Sequence, residues 1–83
     1  MKPLPPNTVI HVPTKELDQQ VCKILDDAGL KLIAGQSYLT ENQWIKYQDQ
    51  TCYNPNAGQF STIKYWEREG FTILPAEEFI KMN

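Results

Sequence analysis

The sequence predicts a small two-layer α+β domain. One amphipathic helix, about residues 15–28, packs on a mostly antiparallel sheet of four to five strands, with short extra helices. Three observations lead there. Leu17, Val21, Ile24, Leu25 and Ala28 recur at helical spacing. Short apolar and β-branched runs alternate with turn formers. The chain has 83 residues, enough for one core and no more.

Residues 1–7 read as a flexible arm, because Pro3, Pro5 and Pro6 remove backbone donors and favour extended chain. Residues 8–83 form the single domain. Thr8-Val9-Ile10-His11-Val12 is β-branched and apolar, a strand stopped by Pro13. Thr14 is placed to cap the main helix and Gly29 to end it, with Lys15, Glu16, Asp18, Gln19, Lys23, Asp26 and Asp27 covering the polar side. Leu30–Ala34 reads as a second short strand ended by Gly35. Thr40-Glu41-Asn42-Gln43 fits a capping box, with Thr40 at the N-cap and Gln43 at N3, opening a helix over 41–48. Thr51-Cys52-Tyr53 and Gln59-Phe60-Ser61 flank Asn54-Pro55-Asn56-Ala57-Gly58 and read as a hairpin. Ser61 or Thr62 caps a helix that ends at Gly70. Phe71–Leu74 is the last strand, and Pro75 stands at the N1 position of a final helix over 76–80. The first and last strands are the most apolar and are expected to be neighbours at the sheet centre.

Composition excludes several functions. Eight Lys and Arg against ten Asp and Glu leave a net charge of −2, which argues against binding of a nucleic-acid polymer. No apolar run reaches the roughly 18–20 residues that span a membrane, and the first residues lack the apolar stretch of a signal peptide. The expected location is the cytoplasm. Cys22 and Cys52 are expected as free thiols. With one histidine, His11, they make three soft ligands where tetrahedral zinc takes four, so no metal and no cofactor is expected.

The unusual residues gather in the middle of the chain. Tyr38, Trp44, Tyr47, Tyr53, Phe60, Tyr65 and Trp66 all lie between residues 38 and 66, among short amides and hydroxyls. Two readings stand side by side. These rings are the core of a domain poor in aliphatics, or some line a groove that stacks on a planar base. On the second reading the ligand-binding residues are Tyr38, Trp44, Tyr47, Asn54, Ser61, Thr62, Lys64 and Trp66. Backbone N–H groups near Ser61-Thr62 would meet a phosphate, with Lys64 beside it. Catalytic signals are weak. His11 has no adjacent nucleophile in sequence, and neighbouring acids such as Glu77-Glu78 do not face each other on a helix. An enzyme is not expected.

The order of elements resembles short accessory proteins encoded by bacteriophages and prophages. The stretches that carry the resemblance are Val9–Val12, Leu25-Asp26-Asp27-Ala28-Gly29, Lys31-Leu32-Ile33-Ala34-Gly35 and the closing Phe71-Thr72-Ile73-Leu74-Pro75-Ala76-Glu77-Glu78-Phe79. Ile33 departs from the pattern, which has an aromatic there. The resemblance implies no catalytic residues. It implies a homo-oligomer that sequesters a small nucleotide immune signal, cyclic ADP-ribose-like or a cyclic dinucleotide, to counter host defence. The alternative is a protein-interaction module that inhibits a host defence enzyme or nuclease by direct binding.

Overall fold

The computed structural model describes residues 1–40 and 43–83. It is an α+β domain with a four-stranded, mostly antiparallel sheet and one main helix. The strands are β1 (Thr8–His11), β2 (Thr51–Asn54), β3 (Gln59–Thr62) and β4 (Thr72–Pro75), in the order β3-β2-β1-β4. β2 runs antiparallel to both its neighbours, with Ile10 opposite Tyr53 and Tyr53 opposite Phe60. β1 and β4 are indeed neighbours, but they pair in parallel, Val9 opposite Ile73, and β4 is an edge.

Strand alternation divides the apolar residues between the two faces. Ile10, Val12, Tyr53 and Leu74 join the larger core beneath α1 (Lys15–Asp27) and α4 (Ala76–Lys81), with Val21, Leu25 and Phe79. Val9, Cys52 and Ile73 point the other way and pack with Trp66 of α3 (Ile63–Arg68) and with Phe71. α3 therefore gives the sheet a small cover on its second face. The caps follow local chemistry. Thr14 Oγ1 accepts from Leu17 N–H, and Thr62 Oγ1 accepts from Tyr65 N–H.

Several sequence expectations change. Leu30–Ala34 is a turn-containing loop, not a strand. Only Leu32 of it is buried, and the N–H groups of Leu30, Leu32 and Ile33 go to Leu25 O, Gln36 O and Gly58 O rather than into a ladder. The expected helix over 41–48 is the short α2 (Trp44–Tyr47) followed by a 3-10 turn, Gln48–Gln50. Gln43, not Thr40, stands at its N-cap, and Thr40 Oγ1 donates to Ser37 O instead. The Glu41-Asn42 part of the expected capping box lies outside the described residues. Pro75 closes β4 and caps α4, one place before the N1 position expected for it. Asp18 and Ala28 exchange roles: Asp18 is buried and Ala28 is exposed. At the N-terminus Leu4 is buried in the larger core, and Lys2 N–H donates to Asn83 Oδ1.

Candidate functional site

Three elements converge on a cleft of about 470 Å³. The loop after α1 supplies Leu32, Ile33 and Gln36. α2 supplies Gln43, Lys46 and Tyr47. The β2–β3 hairpin supplies Gly58, Gln59 and Phe60. The floor is held by close backbone contact. Gly58 has φ of 66°, and Ile33 N–H donates to Gly58 O at 2.9 Å. A Cβ on Gly58 would stand 2.7 Å from Ile33 N and 2.8 Å from Lys31 O. Glycine is thus required twice, for its left-handed backbone and for the approach of the loop.

Aromatic and amide groups furnish the walls. Tyr47 and Phe60 meet edge to face at 5.9 Å, and Phe60 lies tilted against Tyr53 at 6.1 Å. Lys46 Nζ sits 5.3 Å from the centre of the Tyr47 ring. Gln36 and Gln59 are exposed. Gln43 is only 5% exposed, and neither its Oε1 nor its Nε2 has a hydrogen-bond partner among the described residues. No carboxylate, histidine or cysteine is among the described lining residues.

The residues expected to bind a ligand are dispersed. Of the eight, only Tyr47 lines this cleft. Tyr38, at 1% exposure, belongs to the larger core and stacks edge-on with Tyr53. Trp66, at 3%, belongs to the smaller core on the opposite face of the sheet, where Nε1–H donates to Cys52 O. Trp44 is half-buried, its ring fixed by donation from Nε1–H to Val12 O at 2.9 Å. Asn54 is buried at the hairpin turn. Ser61 and Thr62 are half-buried on β3 and Lys64 is exposed on α3. Thr62 already caps Tyr65 N–H, and α3 has six residues, too short for a useful dipole. The eight positions disperse because period and composition do not tell which face of a sheet a ring occupies. Gln43 carries no signal of its own in the sequence, where its spacing from Thr40 reads as a cap.

A second polar group lies beneath α1. Tyr53 Oη donates to Asp18 Oδ1, and Cys22 Sγ donates to the same oxygen at 3.6 Å. Burial raises the Asp18 carboxyl above its ordinary range, against the lowering effect of both hydrogen bonds. Burial also pushes the thiols of Cys22 and Cys52 and the Tyr38 phenol up to about 12, so all three are neutral at pH 7. A protonated, buried thiol is a poor nucleophile. Asp18, Cys22 and Tyr38 border a smaller cavity of about 260 Å³. His11 is committed elsewhere, with Nε2–H donating to Asp49 O at 2.7 Å. Among the described residues no group of three His, Cys, Asp or Glu side chains is placed to hold a metal ion, and no helix is long and apolar enough to cross a membrane.

In comparisons with known proteins, no family model, no curated protein and no solved structure matches this chain.

Proposed function

We propose that the protein binds a small nucleotide in the cleft between α2 and the β2–β3 hairpin, without turning it over. The observation that carries this reading is the lining itself: two aromatic rings, a buried and unpartnered amide, and one ammonium, with no carboxylate among the described lining residues to repel an anion. Ring stacking on a base is worth roughly 1–3 kcal/mol. The volume falls within the roughly 300–1,000 Å³ usual for small-ligand sites. Lys46 stands where it can meet a phosphate. The absence of an imidazole, thiol or carboxyl among the described lining residues supports retention of the ligand over its turnover. The resemblance in the sequence supplies the finer proposal: a signalling nucleotide, cyclic ADP-ribose-like or a cyclic dinucleotide, sequestered by a phage-type homo-oligomer in the host cytoplasm.

Thermal-shift titration with mononucleotides and cyclic nucleotides tests this. A ligand at 100 times its Kd stabilises the folded state by about 2.7 kcal/mol, a readily measured rise in midpoint. Tyr47→Ala is expected to weaken binding about tenfold or more. A panel that leaves the midpoint unmoved refutes the reading.

One observation favours a second reading. Ile33, Leu39 and Ile45 are 74%, 56% and 64% exposed on one stretch of chain. Such side chains suit docking against a host defence enzyme. Capture of one host protein by the wild type, lost in an Ile33→Asp, Ile45→Asp double variant and kept in Tyr47→Ala, would select it.

A further inference from the structure

We infer that Gln43 is the specificity-determining residue of this cleft and reads a ring edge that carries a hydrogen-bond donor and an acceptor side by side. The inference rests on the nucleotide reading of the cleft and adds which part of the ligand is recognised, and by what. Gln43 is 5% exposed, yet both polar atoms of its amide are without partners among the described residues. Gln36 and Gln59, on the same cleft, are exposed, so their amides are open to solvent. A buried amide with neither bond made is a standing penalty on the fold. The amide is closed to solvent as it stands, so it meets a ligand by turning its side chain into the cleft, where a ligand that supplies both partners at once removes the penalty.

A primary amide presents an acceptor and a donor in one plane, the geometry that closes a two-bond pair with a nucleobase edge. Turning the amide by half a rotation exchanges the two atoms. Two kinds of edge therefore match Gln43: an amine beside a ring nitrogen, and a ring N–H beside a carbonyl. An unsubstituted purine offers an acceptor alone and leaves the amide oxygen unmet. The neighbouring rings, Tyr47 and Phe60, contact faces and do not distinguish these edges.

Isothermal titration of the full chain with three ligands of equal charge tests the inference. Adenosine 5′-monophosphate and inosine 5′-monophosphate are expected to bind within about threefold of each other. Purine riboside 5′-monophosphate is expected to bind at least about tenfold more weakly. Gln43→Met keeps the length of the side chain and removes the amide. It is expected to bring all three affinities within about threefold, and to raise the unfolding midpoint of the ligand-free protein by roughly 4–8 °C. Equal binding of the three by wild type overturns the inference and leaves the nucleotide reading standing. Discrimination that survives in Gln43→Met, or a midpoint that falls, overturns it too, the latter because the amide then has a partner within the protein. Binding of none of the three overturns both readings.

Discussion

Gly58→Ala tests the link between hairpin and cleft. The added methyl would meet two backbone atoms, Ile33 N at 2.7 Å and Lys31 O at 2.8 Å, on a residue with φ of 66°. The left-handed backbone alone costs about 1–2 kcal/mol for an L-residue. Relief of the clash requires the loop to retreat and lengthens the bond from Ile33 N–H to Gly58 O, a further 0.5–1.5 kcal/mol or so. The total is about 1.5–3.5 kcal/mol. Gly70→Ala is the internal control. Its φ is 82°, but its Cβ would meet nothing within 4 Å, so only the backbone component remains. Urea unfolding of the two variants is expected to differ by about 0.5–1.5 kcal/mol, and their midpoints by roughly 2–12 °C. Amide exchange at Ile33 is expected to accelerate in Gly58→Ala alone. Because Leu32 and Ile33 line the cleft, the same variant is expected to lose ligand affinity. Equal destabilisation of the two variants, with Ile33 still protected, would refute the packing argument.

Asp18→Asn is expected to gain stability relative to wild type as pH rises. Burial raises the carboxyl above its ordinary value of 3.8, so the folded state holds the proton more tightly than the unfolded chain. Its contribution is complete below about 3.8 and is lost as pH rises through the raised value, whereas Asn does not titrate. Paired unfolding midpoints from about pH 3 to 7 measure this, and a difference that is flat or of opposite sign contradicts it. Trp66→Phe removes the donation from Nε1–H to Cys52 O and part of the smaller core, for a loss of about 1–3 kcal/mol in urea unfolding. Its ligand affinity is expected to match wild type, and a tenfold loss would return Trp66 to the binding site.

Much of the fold was legible because its determinants are local. Leu17, Val21, Ile24 and Leu25 share a face through helix geometry alone, and Thr14 and Thr62 cap helices through bonds to residues three places on. The hairpin around Asn54–Gly58 follows from turn chemistry. Leu30–Ala34 reads as a strand because its apolar residues match one, while the N–H groups of Leu30, Leu32 and Ile33 are taken by Leu25, Gln36 and Gly58, the last a partner distant in the chain. The site was less legible. The sequence points to Tyr47 as a ligand contact, but to Phe60 only as a hairpin residue and one of seven clustered rings, and to Gln43 only as part of a capping box.

The amino-acid order by itself determined the fold class, the main helix and the turns, since each depends on neighbours a few residues apart. Only the tertiary structure decided that Tyr38 and Trp66 are sealed on opposite faces of the sheet, that Asp18 is buried against Tyr53, and that Gln43, Tyr47 and Phe60 share one cleft. Those outcomes depend on which strands pair and in what direction, and on where a loop can approach a glycine. Pairing over long loops is set by the summed burial of the whole chain rather than by any short stretch of it.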